Sequence, residues 1–196
     1  VLFAGHPLEQ AIRDCWIVGQ LPAAMGAADD KFTTNARLRA AGLPVAASIL
    51  AAQVERPGVH ALASLSPATL AALGLTFPLV VKPVRGRGSQ GVSVVADHAA
   101  FMLAAQALID SGRFGTELIV EEFLSGAELT VAVMPGQPPR ALPPVLRFNH
   151  ADGVAPYNGV VAVSHNSRAL TPEEQAAPEV LAMLDACAAA ARLVGA

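Results

Sequence analysis

The feature that most constrains this chain is an apolar run that ends in a lysine and is followed by regularly spaced glycines. From Phe77 the sequence reads F-P-L-V-V-K-P-V-R-G-R-G-S-Q-G-V-S-V-V, and from Leu118, after a helix-like interval, L-I-V-E-E-F-L-S-G-A-E-L-T-V. Leu79, Val80 and Val81 form a short apolar, β-prone run that predicts a buried strand. Lys82 ends that strand and Pro83, which cannot donate to a ladder, stops it. Gly86, Gly88 and Gly91 then follow in the spacing G-x-G-x-x-G, and Val92 to Val95 reads as a second strand.

Several classes of nucleotide site share this glycine spacing, and context separates them. A dinucleotide fold needs a helix after the glycines, so that the helix N-terminus faces the pyrophosphate; here a strand follows. A protein kinase places its lysine on a strand after the glycine loop; here Lys82 precedes it. What remains is a β-hairpin flap over residues 77–95 whose tip can turn backbone N–H groups toward phosphate. Glycine allows that close backbone approach. A plain flexible hairpin with a snorkelling lysine presents the same glycines, so the neighbouring residues carry the decision.

The chain has 13 lysines and arginines, and only Lys31 and Lys82 are lysine. Lysine in an arginine-biased chain suggests a need for a compact ammonium. Lys82 ends an apolar strand. Lys31 opens a predicted helix, where the macrodipole disfavours a cation. Phosphate oxygens would account for both placements, and Asp29 and Asp30 offsetting Lys31 locally is the plainer account. Leu118 to Val120 predicts another strand, followed by Glu121 and Glu122, whose carboxylates can accept hydrogen bonds from an amino group. Glu128, after the Ser125-Gly126 turn, could hold a ribose diol. Edge-strand charges that oppose aggregation would look the same.

In order, these segments are D-K, A-G-L-P-V, F-P-L-V-V-K-P-x(3)-G-x-G-S-x-G-V and V-E-E-F-L-S-G-x-E-L-T-V. Together they resemble the ATP-grasp ligases, closest to the D-alanine–D-alanine ligase branch, with biotin-carboxylase-like enzymes next. The resemblance covers residues 29 to 134. It implies an α+β fold in which two subdomains grip ATP, with the second subdomain truncated at its C-terminus. Residues 1–28 would be the tail of a preceding domain or a linker, 29–124 the first subdomain with its flap, and 125–196 an incomplete second subdomain. It implies that Lys31 and Lys82 contact ATP phosphates and that Gly86, Gly88, Ser89 and Gly91 cover them. Glu121, Glu122, Phe123 and Leu124 would form the adenine hinge, and Glu128 would bind ribose. Arg85 and Arg87 depart from the pattern: the ligase branch commonly has an acidic or small residue there. Tyr157, Asn158 and Asn166 are candidates for the acceptor-substrate site, although each reads as part of a surface loop.

The implied reaction converts a carboxylate to an acyl phosphate for attack by an amine, with ATP and Mg²⁺ as cofactors and small-molecule substrates. No E-x-N set for magnesium occurs in the chain, so the metal ligands are expected beyond Ala196. The chain alone is then expected not to turn over ATP efficiently, while its full-length parent does. A nucleotide-binding module without chemistry, and a structural domain with an incidental flap, are the other readings.

Composition bounds the alternatives. The chain is 53% hydrophobic and 15% charged, with a mean hydropathy of +0.46 and a net charge of −3. That describes a core-rich globular protein, and its charge argues against a nucleic-acid surface. No apolar run approaches the roughly 20 residues that span a bilayer. Cys15 and Cys187 lie far apart without metal spacing, which suits reduced thiols in a cytoplasmic protein. A homodimer is compatible with the family.

Around the central stretch the spacing predicts helices over 29–41, 67–73 and 97–108, the first with Phe32, Ala36 and Leu38 as apolar positions. It predicts strands over 45–51, 128–134, 145–148 and 160–163. Residues 21–28 and 53–64 read as irregular, and 165–168 as a polar segment. Thr171-Pro172-Glu173-Glu174 is a capping box opening one long helix to about Leu193, with Leu181, Leu184 and Ala188 inward.

Overall fold

The structure, a computed structural model, describes residues 26, 28–149 and 165–195. The first helix, α1 (Lys31–Ala40), is capped by Asp30, whose carboxylate accepts from the Thr33 amide at 2.8 Å. Its predicted apolar position Ala36 is exposed, and Ala28, expected to be irregular, is already helical. Strand β1 (Ser48–Ala52) leads through the Pro57-Gly58 turn to β2 (Val59–Ala61) and a 3₁₀ turn at Leu62–Ser64. Residues 53–64 were expected to be irregular, and β2 corrects that: three residues are too few to show a period. The helix α2 (Pro67–Ala72) is capped by Ser66. Strands β3 (Leu79–Pro83) and β4 (Ser93–Val95) flank the glycines, α3 (His98–Asp110) follows the Asp97 cap, and β5 (Glu117–Glu122) completes the unit.

These strands form one sheet in the order β2-β1-β5-β3-β4, antiparallel except for β1 with β2. Strand β3 alternates: Leu79, Val81 and Pro83 are buried, while Val80 and Lys82 lie on the other face. Pro83 remains inside the strand, contrary to the expectation that it stops it, because β4 pairs only as far as Val81 and Pro83 lies beyond that ladder. The core gathers Leu79, Val81, Leu118 and Val120 with Phe101, Ala105 and Leu108 of α3 and Leu65, Leu70 and Leu75 around α2. Burial of this apolar surface is the main force holding the sheet to the helices.

Beyond Glu122 the single strand expected over 128–134 is two strands. β6 (Glu128–Thr130) joins a sheet in the order β10-β9-β6 with β9 (Val145–Arg147) and β10 (Ser167–Ala169). β7 (Val133–Met134) instead pairs with β8 (Arg140–Ala141). The polar segment 165–168 therefore carries most of a strand, because its polar side chains sit in a narrow three-stranded ribbon. The strand expected over 160–163 lies outside the described residues.

The capping box at Thr171 forms as read, but the helix it opens is short. α4 (Pro172–Gln175) ends, and Pro178 starts α5 (Pro178–Val194). Proline has no N–H to continue the ladder and restricts the residue before it, so the predicted long helix divides there. Leu181, expected inward, is 51% exposed. Ala191 is the buried residue of α5, which packs on β7, β8 and α1. Arg37 of α1 donates to the Leu193 carbonyl at 2.6 Å. Between α1 and α5 a groove of about 490 Å³ is lined by Leu38, Leu43, Met183 and Cys187, and burial there raises the Cys187 thiol pKa.

Candidate nucleotide-binding site

The hairpin flap forms as the sequence implies. β3 and β4 pair antiparallel with Leu79 opposite Val95 and Val81 opposite Ser93. Residues 84–92 make the connection, with the Val92 amide donating to the Ser89 carbonyl at 3.2 Å. Gly88 and Ser89 take positive φ of 62° and 58°. A serine in that region is uncommon, so the turn itself is demanding.

Gly86 and Gly91 have a second, structural reason to be glycine. A β-carbon on Gly91 would lie 2.8 Å from Leu108 Cδ1 and 3.1 Å from the Phe114 ring. One on Gly86 would lie 3.3 Å from the Pro83 ring. The flap root is thus packed on Phe114, just past α3, while the tip is open. Phe114 was not singled out from the sequence, since one aromatic residue after a helix carries no pattern. Arg113 adds a polar tie, donating to Gln90 Oε1 at 3.2 Å.

Lys82 and Glu121 lie on the sheet face opposite the core. Lys82 pairs in register with Ile119, and Glu121 with Val80, so the two charged side chains are diagonal neighbours. Asn35 of α1 donates to the second oxygen, Oε2, of Glu121 at 3.3 Å. Asn35 was also missed. Its signal is the i, i+4 spacing from Lys31, which puts both on one helix face.

Lys31 stands at the flap root. Its ammonium donates to the carbonyls of Gly86 at 3.0 Å, Val84 at 3.4 Å and Pro83 at 3.5 Å, and its amide to the Val84 carbonyl at 3.2 Å. Its pKa is lowered, chiefly by burial and then by the nearby Lys82 charge, with Asp29 and Asp30 acting in the opposite sense. The second of these causes, the Lys82 charge beside the Lys31 ammonium, is one that an added anion would offset.

The hinge residues divide. Glu121 and Glu122 are the last residues of β5 rather than a segment after it. Glu121 is buried, but the Glu122 carboxylate accepts from the Ala47 amide at 2.8 Å, closing the end of β1. Phe123, Leu124, Ser125, Gly126, Ala127, Glu128 and Leu129 line a cleft of about 460 Å³. Glu128 is exposed at the start of β6. Asn166 is 1% exposed, which corrects the surface-loop reading; its Oδ1 accepts from Ser167 at 3.0 Å. Tyr157 and Asn158 lie outside the described residues. Among the described residues no three His, Cys, Asp or Glu side chains gather to hold a metal, and no helix is long and apolar enough to cross a membrane.

Comparison with known proteins places this geometry. The family model described as D-ala D-ala ligase C-terminus matches residues 38–175. A D-alanine–D-alanine ligase of Pediococcus pentosaceus is 35% identical over 102 residues, covering 52% of this chain and 27% of that protein. One of Polaromonas naphthalenivorans is 36% identical over 127 residues, covering 63% and 35%. The chain spans about a third of the length of these relatives. Among solved structures, the D-alanine–D-alanine ligase of Coxiella burnetii superposes with a TM-score of 0.63 at 19% identity, over 88% of this chain and 42% of that one. The Bacillus anthracis enzyme complexed with ATP gives 0.60 at 20% identity, over 88% and 47%. These two likenesses establish an ATP-grasp fold, present here in part. The chain belongs to the D-alanine–D-alanine ligase C-terminal family.

Proposed function

We propose that this chain is the ATP-holding part of a ligase that activates a small-molecule carboxylate as an acyl phosphate for attack by an amine. The observation that carries the reading is Lys31 and Lys82 flanking the root of a glycine flap, with the Lys82 charge felt at the Lys31 ammonium. Residues 29–124 act as the first grip and 125–196 as part of the second, in a cytoplasmic enzyme. Glu121 with the backbone of Phe123 and Leu124 meets the adenine, Glu128 the ribose, and Gly86, Gly88, Ser89 and Gly91 cover the phosphates. Asn166 lies in the ribbon that would border the acceptor substrate.

In the reaction, a carboxylate oxygen attacks the terminal phosphorus and ADP leaves. The amine then attacks the acyl carbon and phosphate leaves. The residues of this chain contribute positioning and charge stabilisation. Lys31 and Lys82 hold the phosphates in place, and the flap excludes water. Magnesium would supply charge neutralisation when it accompanies ATP; the described residues offer it no cluster of three His, Cys, Asp or Glu side chains.

Calorimetry tests the reading. Lys82→Ala is expected to weaken ATP binding by about 1.5–3 kcal/mol, the range for a hydrogen bond to a charged group. Equal affinity in the variant and the parent, with both folded by circular dichroism, overturns it.

A further inference from the structure

The flap carries two arginines that the nucleotide reading does not use, and both are engaged. Arg87 Nη2 lies 2.6 Å from Asp29 Oδ1. Arg85 reaches Asp29 Oδ2 at 3.7 Å and Asp30 Oδ2 at 3.5 Å. We propose that Asp29 and Asp30 are the resting partners of the flap arginines, a charge latch that the phosphates of a bound nucleoside triphosphate undo by taking Arg85 and Arg87 for themselves. The proposal rests on the nucleotide function argued above.

The two sides of the latch differ in how firmly they are held. The aspartate side chains are 24% exposed and start α1, where Asp30 Oδ1 also caps the helix. The arginine side chains are 59% and 54% exposed, Arg85 just before Gly86 at the flap root and Arg87 on the open tip. The carboxylates are therefore the fixed half and the guanidinium groups the half that moves. Exposed ion pairs of this kind each shift an equilibrium by less than about fivefold, which suits a contact that must release. Phosphate is the stronger competitor, because it can take a guanidinium through two parallel charge-assisted hydrogen bonds, whereas neither arginine meets one aspartate through two such contacts. Lys31, in sequence beside the aspartates, already fastens the flap backbone on either side of Arg85 through the Val84 and Gly86 carbonyls, so the latch governs the Arg85 side chain and the tip beyond Gly86.

The test has one arm without nucleotide and one with it, both on the 196-residue chain. Trypsin cuts after Arg85 and Arg87, and mass spectrometry reads each site separately. Without nucleotide, Asp29→Asn with Asp30→Asn is expected to speed those two cuts severalfold; asparagine keeps the helix cap. Unchanged rates overturn the latch. In the second arm, the same double variant is expected to tighten ATP binding roughly threefold to fivefold by removing the competitor. That gain should vanish when Arg85→Ser and Arg87→Ser are also present. A gain that persists without the arginines reflects general charge removal and overturns the exchange. If the parent binds no ATP, the function proposed above fails and the exchange fails with it, while the trypsin arm still decides the resting latch.

Discussion

Lys82 and Glu121 meet at 2.5 Å across the diagonal of two paired strands, with side chains only 17% and 11% exposed. Removing one partner of a pair this enclosed leaves a charge without its counter-ion. Lys82→Ala is expected to lower unfolding stability by about 2–4 kcal/mol, toward the range for a broken buried pair. Adding Glu121→Gln should restore part of the loss, because a neutral amide needs no cation. Urea denaturation of the two variants checks this, and a double variant less stable than Lys82→Ala contradicts it.

Gly91→Ala is expected to cost about 2–4 kcal/mol, from a left-handed backbone with φ of 72° and a methyl pressed on Leu108 and Phe114. Gly58→Ala is the matched control. Gly58 has φ of 77°, but nothing lies within 4 Å of an added β-carbon, so only the backbone term of about 1–2 kcal/mol applies. Chemical denaturation in parallel measures the difference, and equal losses remove the packing argument.

Glu174 gives a pH prediction. Its carboxylate accepts from Arg168 at 2.7 Å on each oxygen and from the Thr171 amide at 2.8 Å. Those contacts, the Arg168 hydrogen bond first, lower its pKa from 4.5 to about 2. A lowered carboxylate favours the folded form above its ordinary pKa, and the contribution is lost as pH falls through about 2. NMR titration should show the Glu174 side chain unmoved at pH 4. In an Arg168→Ala variant, Glu174 should titrate closer to its ordinary value.

The flap was legible because its evidence is local. A β-branched run, a lysine, three spaced glycines and a second β-branched run directly after them specify a hairpin, and β3 and β4 pair accordingly. Helix starts were legible for the same reason, at Asp30, Ser66, Asp97 and Thr171. The interior of the site was not. Asn35 reaches Glu121 across 86 positions, and no spacing rule spans that distance. Glu122 reads like its neighbour but faces the other way, since strand alternation separates adjacent side chains. The terminal helix reads as one because its alanine-rich run hides the break that Pro178 imposes. Leu181 then appeared inward through a period that the break resets.

The two ends of the flap answer to different constraints. Gly91 is bounded by Leu108 and Phe114, and Gly86 by Pro83; residues 87–90 are exposed. Sequence change at the exposed side chains of 87 and 90 touches no core residue, whereas Gly88 and Ser89 are held by positive φ and change at the root is felt by the hydrophobic core. The loop is therefore modular: its charge can be rewritten by evolution or by an engineer at 85, 87 and 90 while the glycines of the root stay constant.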